Sequence, residues 1–202
     1  MGPPGVGKTV FCESLICESV KNGSKSLYIT LDHNPEDIKR RVHFVEGNCP
    51  LTFVDGYSWL IGITNERYRV TNLSNLSDLS VKMISATSEL GKGSFFVFDS
   101  ISTLLIYNSE NEVVRFLEVN MARMKHSENI GIWIVERGIH SEAFYYTIRH
   151  ICDGVMDMRF EEREGLSRFI RMHTFRGVPH NTEWRSFNIG SNGEFAIDGP
   201  NS

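Results

Sequence analysis

Gly2-Pro3-Pro4-Gly5-Val6-Gly7-Lys8-Thr9 opens this sequence and fills every fixed position of G-x-x-x-x-G-K-[ST]. The spacing has a physical reason. Glycines let successive backbone N–H groups curl around a β-phosphate and aim the N-terminus of the following helix at it. The lysine then reaches the β/γ oxygens and the threonine offers its hydroxyl to Mg²⁺. Gly2, Pro3, Pro4, Gly5, Val6, Gly7, Lys8, Thr9 and Val10 are therefore the candidate nucleotide-binding segment. The helix that this reading needs is visible next: residues 8 to 22 carry Val10, Phe11, Leu15, Ile16 and Val20 at helical spacing and stop at Asn22-Gly23.

Working outward, strand and helix alternate. Ser26 to Leu31 is a short apolar run rich in strand formers, and Asn34-Pro35 caps and opens a second helix. A strand at 51 to 54, a polar stretch from Asp55 to Asn75, a helix at 76 to 90 ended by Gly91 and a strand at 95 to 98 follow. A helix at 110 to 128, a strand at 130 to 135 and a helix from 141 to 152, capped by Ser141, complete this part. Buried apolar strands alternating with helices imply a mostly parallel sheet covered on both faces. From Gly154 the texture changes: 155 to 162 and 166 to 175, joined by Arg163-Glu164-Gly165, read as an antiparallel hairpin, with short strands near 184 to 189 and 194 to 197. The expectation is an α/β fold in one domain over residues 1–202, with a nucleotide-binding core at 1–153 and a C-terminal antiparallel β extension at 154–202.

Composition narrows the class. With 202 residues, 21 Lys+Arg against 25 Asp+Glu and 41% hydrophobic residues, the chain suits one soluble globular domain. Collagenous, mucin-like and disordered chains are excluded. The formal net charge of −4 argues against blanketing nucleic acid or an anionic membrane. Cys12, Cys17, Cys49 and Cys152 are irregularly spaced and read as reduced thiols, and no apolar run approaches the roughly 20 residues that span a bilayer. The expected location is the cytoplasm, without membrane insertion.

Two carboxylates complete the candidate site. Asp99 follows the apolar run Phe95-Phe96-Val97-Phe98 and so emerges at the C-terminal edge of a buried strand, where it suits the Mg²⁺ shell; Asp99 or Ser100 also suits a helix cap. Asp32, at the end of the 26 to 31 strand, is the candidate base for an attacking water, with His33 beside it; this polar pair before a helix also fits a plain cap.

The loop at 2 to 9, the strand ending in Asp32 followed by Asn34-Pro35-Glu36-Asp37-Ile38, Phe98-Asp99-Ser100, the 131 to 154 block and Phe175-Arg176-Gly177-Val178-Pro179-His180 together resemble the KaiC-type ATPases of the RecA superfamily. The likeness covers nearly the whole chain, and the tract from Ser141 to Gly154 resembles archaeal members. It implies ATP and Mg²⁺ as ligands and homo-oligomeric rings or filaments with ATP at the interface. It also implies a catalytic role for Arg176, as a finger reaching a neighbouring subunit's γ-phosphate, which suits a planar guanidinium that is always charged. His180 matches a family position as well.

Departures from that pattern bear on turnover. Hydrolysing members show two adjacent glutamates where this chain has Asp32-His33, and a basic residue where it has Thr174. Both changes point to a nucleotide-dependent regulatory or assembly switch with slow hydrolysis, or to a non-hydrolysing scaffold. The family's P-loop is fed by a buried strand, whereas only Met1 precedes Gly2, so a start placed too late or a shortened chain is expected. A RecA- or RadA-like recombinase shares the core, and Arg159, Arg163, Arg168, Arg171 and Arg176 put positive charge on the C-terminal hairpin. Glu161, Glu162 and Glu164 interrupt that patch, so nucleic acid is not an expected partner. Tyr57, Trp59, Leu60, Ile61 and Tyr68 are a candidate partner surface, or local packing.

Overall fold

The computed structural model describes residues 1–42, 51–162, 165–191 and 193–198. Cys49, Arg163 and Glu164 lie outside the described residues. The chain divides into two compact units: Cys12–Ile134, and Met1–Phe11 together with Val135–Ser202. Helix α1, Lys8–Lys21, contributes its first residues to the latter and the rest to the former.

The unit at 12–134 is built on a five-stranded parallel sheet. Its strands are β1 (Ser26–Thr30), β2 (Leu51–Asp55), β3 (Tyr68–Arg69), β4 (Phe95–Asp99) and β5 (Ile130–Trp133), in the order β3-β2-β1-β4-β5. β1 is buried at all five positions, as a strand flanked on both sides in a covered parallel sheet must be. Its helices besides α1 are α2 (Pro35–Arg41), α3 (Leu76–Leu90), α4 (Ile101–Tyr107) and α5 (Glu110–His126). Their ends follow the sequence signals. Asn34 accepts from the Glu36 N–H with Pro35 in the first turn, and Ser109 and Glu112 form a reciprocal capping box on α5.

The polar stretch at 55 to 75 differs from expectation by holding β3, whose two residues pair with Val54 and Asp55. α4 was also unforeseen. Its seven residues include only Ser102 and Thr103 as hydroxyl residues beside Ile, Leu and Tyr, so the sequence shows no polar face there. The aromatic core runs across the sheet: Phe98 stacks on Trp133 with centroids 4.8 Å apart, and Phe96 meets Trp133 edge-on at 5.4 Å. Phe96 lies directly over its partner Gly131, where a Cβ would stand 1.9 Å from the ring.

The other unit carries the phosphate loop, α6 (Glu142–Ile151) and a four-stranded antiparallel sheet. That sheet is β6 (Gly154–Glu162), β7 (Leu166–Phe175), β8 (Arg185–Ile189) and β9 (Phe195–Ile197), in sequence order. Ser141 caps α6 by accepting from the Phe144 N–H. Val6, Met158, Ile170 and Phe187 are buried together, with Phe11 and Phe195 packed against them. The opposite face of the hairpin is charged, and its arginines are engaged locally. Arg159 and Arg171 lie 4.2 and 4.4 Å from the Trp184 ring, and the fully buried Asp157 faces Arg171 at 3.4 Å and His173 at 3.2 Å. Buried charge is tolerated only when it is paired in this way.

Among the described residues no helix is long and apolar enough to cross a membrane.

Candidate functional site

The phosphate loop is held from both sides by backbone. Gly2 donates to the Val135 carbonyl and its own carbonyl accepts from the Arg137 N–H, which forms a parallel bridge to Glu136. On the other side Met158 donates to the Met1 carbonyl at 2.8 Å, and the Met1 ammonium donates to Met156. At these positions the strand groups beside the loop are satisfied.

Below the loop, the Val6 side chain is fully buried among Met158, Ile170 and Phe187, so the middle of the motif is anchored by apolar packing. Gly5 and Gly7 take φ of 74° and 110°, conformations that L side chains resist. A Cβ at Gly5 would meet nothing, whereas one at Gly7 would stand 2.7 Å from the Ile189 side chain. The loop is thus exposed at Pro4 and Gly5 and packed at Val6 and Gly7. This is the shape of a backbone cradle with an open mouth.

Lys8 and Thr9 begin α1, with Val10 in the same first turn. Lys8 Nζ donates to the Pro3 carbonyl at 2.8 Å and the Gly2 carbonyl at 3.1 Å, and stands 3.5 Å from Glu136 Oε1. Glu136 was not foreseen as a site residue. Its position is fixed by the bridge to Gly2 and by Tyr145, whose hydroxyl donates to the Glu136 carbonyl at 2.9 Å and accepts from the Gly138 N–H at 2.9 Å.

In the other unit, the parallel register that pairs Thr30 with Asp99 brings the ends of β1 and β4 to one edge of the sheet. Asp99 is 2% exposed and accepts at Oδ2 from the Tyr28 hydroxyl at 3.0 Å. Burial, and then the negative charge of Asp99, holds the Tyr28 phenol well above its ordinary pKa. The Asp99–Ser100 peptide is cis.

Asp32 follows β1 and is half-buried. Its Oδ1 accepts from the Thr103 hydroxyl, which in turn lies 3.1 Å from Ser100 Oγ. Asp32 is therefore tied, through the first turn of α4, to the residue that follows Asp99. His33 closes the turn through its backbone: its N–H and carbonyl both bond the Thr30 hydroxyl, at 3.2 and 2.6 Å.

Tyr28 and Thr103 were both missed by sequence reasoning. The only signal was an aromatic hydroxyl in the middle of an otherwise buried strand and a hydroxyl four residues after Asp99.

Arg176 lies just past β7, exposed, with its backbone N–H on the Asp153 carbonyl at 2.8 Å and its guanidinium on the His150 carbonyl in the last turn of α6. His180 bonds the Val178 carbonyl through Nδ1 at 2.8 Å, within its own turn. Among the described residues no group of three or more His, Cys, Asp or Glu side chains could hold a metal ion by themselves. Thr9, at the start of α1, offers a hydroxyl and Asp99, at the end of β4, a carboxylate, and each is a ligand type that Mg²⁺ accepts.

A UPF0273 protein of Thermotoga maritima is 22% identical over 204 residues, covering 95% of this chain and 83% of that protein. A UPF0273 protein of Methanopyrus kandleri is 24% identical, covering 95% and 80%. In three dimensions the chain is similar to the crystal structure of a KaiC-like protein from Pyrococcus horikoshii, with a TM-score of 0.78, 19% identity, and coverage of 98% of this chain and 87% of that one. The match shows a shared α/β fold. The model of the KaiC ATPase family matches residues 1–197, and the chain belongs to that family.

Proposed function

We propose that this chain binds Mg-ATP and acts as a nucleotide-dependent regulatory or assembly switch with slow hydrolysis. The observation that carries the reading is the phosphate loop itself: a complete G-x-x-x-x-G-K-[ST] segment, packed below through Val6, open above at Gly5, and placed at the head of α1. In this reading the backbone from Gly2 to Val10 cradles the phosphates, Lys8 binds the β/γ oxygens, Thr9 offers Mg²⁺ its hydroxyl, and Asp99 orients the metal's water shell. When bound, Mg²⁺ neutralises the developing phosphate charge. Asp32 orients or deprotonates the attacking water, and Arg176 leaves the His150 carbonyl to reach a neighbouring subunit's nucleotide. Homo-oligomers and a cytoplasmic location belong to the same proposal.

A second reading is a scaffold that holds ATP without hydrolysing it. It is favoured by Asp32, which is one methylene shorter than the family's glutamate and is engaged by Thr103.

Phosphate release and nucleotide affinity, measured together, test both readings. Lys8→Ala is expected to weaken Mg-ATP binding about 10- to 100-fold, the worth of a lost charge-assisted contact. Turnover in the parent, absent in Lys8→Ala, supports a hydrolysing switch. Turnover only in Asp32→Glu, with normal binding by the parent, supports the scaffold. Native mass in ATP and in ADP tests assembly: a mass indifferent to nucleotide overturns the switch.

A further inference from the structure

The Lys8 ammonium faces acceptors from two segments: the Pro3 carbonyl at 2.8 Å and the Gly2 carbonyl at 3.1 Å in the loop, and the Glu136 carboxylate at 3.5 Å. Two of these are backbone groups of the motif, and any chain with this loop can provide them. The third is a charge supplied by the segment after β5. The Lys8 side chain is only 10% exposed and that of Glu136 31%, so the pair is screened less than a surface ion pair.

Glu136 does not reach Lys8 by chance of rotamer alone. Its backbone is in parallel bridge with Gly2, the first residue of the motif, and the Arg137 N–H bonds the Gly2 carbonyl that itself accepts from Lys8. The Tyr145 hydroxyl, on a buried side chain, then ties the Glu136 carbonyl to the N–H groups of Gly138, Ile139 and His140. A phosphate arriving at Lys8 meets a cation that already has a counterion, and meets a second negative charge beside it.

We propose that Glu136 is a built-in competitor for the phosphate-binding lysine. It holds the Lys8 ammonium, lowers the affinity for nucleotide, and is displaced when phosphate oxygens take over the ammonium. The inference rests on the nucleotide-binding reading and adds the group that sets how tightly that site holds its ligand. It commits to a sign opposite to that of an ordinary site residue, because neutralising Glu136 improves binding.

The test compares wild type with Glu136→Gln, which keeps the side-chain shape, and Glu136→Ala, which removes it. Mg-ADP titration by calorimetry is expected to show about three- to fivefold tighter binding in both variants, the scale of one partly screened ion pair. Unchanged or weaker binding in both overturns the proposal; the weaker result makes Glu136 part of the binding set. A second readout needs no nucleotide: the rate at which Lys8 is acylated by an amine-reactive ester, followed by peptide mass spectrometry. Losing the carboxylate releases the amine from its ion-paired position, so acylation at Lys8 is expected to speed up in both variants while other lysines stay unchanged. Equal Lys8 rates overturn the competitor even if no form binds ADP. Failure of ADP binding in every form, with faster Lys8 acylation, overturns the nucleotide reading and leaves the Lys8–Glu136 pair standing.

Discussion

The two compact units hold their candidate chemistry by different means. In the unit of Met1–Phe11 and Val135–Ser202, the phosphate loop is fixed by backbone bonds at Gly2, by φ values that glycine permits at Gly5 and Gly7, and by the buried Val6 side chain. In the unit at 12–134, Asp99 and Asp32 are fixed by the hydroxyls of Tyr28 and Thr103. A backbone cradle depends on residue types that tolerate its shape, so few sequences can make it. A carboxylate can be held by any hydroxyl that the fold happens to bring within reach, so many can.

That contrast is broken most forcefully at one glycine from each unit. Gly131→Ala puts a Cβ into the Phe96 ring and forces it off Trp133, and Gly7→Ala places an L side chain at φ 110° with Ile189 in its way. Each is expected to cost about 1–3 kcal/mol, read as a lower denaturant midpoint. Only Gly7→Ala is expected also to weaken Mg-ADP binding beyond its effect on stability. Equal loss of binding in Gly131→Ala would show that the cradle is no more sensitive than the sheet core.

Tyr28→Phe probes the hydroxyl-held side. It removes one donor from a buried carboxylate and is expected to cost about 1–2 kcal/mol at neutral pH. It carries a pH signature as well. The folded-state pKa of Tyr28 is raised, so its contribution to stability is complete below the unfolded value near 10 and is lost as pH rises above it. Cys152 behaves in the same sense, since burial and then Asp153 push its thiol up to about 11. Wild type is therefore expected to lose stability on going from about pH 8.5 to 11. Tyr28→Phe is expected to flatten the part of that loss above pH 10, as followed by urea midpoints. Parallel curves for the two proteins would remove Tyr28 from the account.

The same contrast explains what could be read in advance. The phosphate loop, the alternation of strands and helices, the caps at Asn34 and Ser141, and the change to antiparallel strands after Gly154 all rest on local residue preferences, which a sequence displays. β3 is two residues long and exists because β2 offers it an edge, while α4 has no polar face from which a period could be read. Tyr28 and Thr103 reach their carboxylates, and Glu136 reaches Lys8, through pairings between distant segments: β1 with β4, the segment after β1 with the start of α4, and Gly2 with Glu136. None of these leaves a spacing in the sequence. Arg159 and Arg171 were visible as charge, but their engagement with Trp184 needed the register of β6 on β7.

Thr103 gives the smallest change in stability and the sharpest division between the two functional readings. Its hydroxyl donates to Asp32, and losing it is expected to cost about 0.5–1.5 kcal/mol. As a positioning residue for a working base, Thr103→Ala should lower kcat about 10- to 100-fold with KM unchanged, because the carboxylate loses its direction. Thr103→Ser, which keeps the hydroxyl, should recover most of that rate. As a restraint in a protein built to hold ATP, the same bond does the opposite: it keeps the short carboxylate turned toward α4. Thr103→Ala should then turn over faster than the parent, and Thr103→Ser should stay as slow. The direction of the change in kcat therefore decides whether the Asp32–Thr103 bond serves hydrolysis or prevents it.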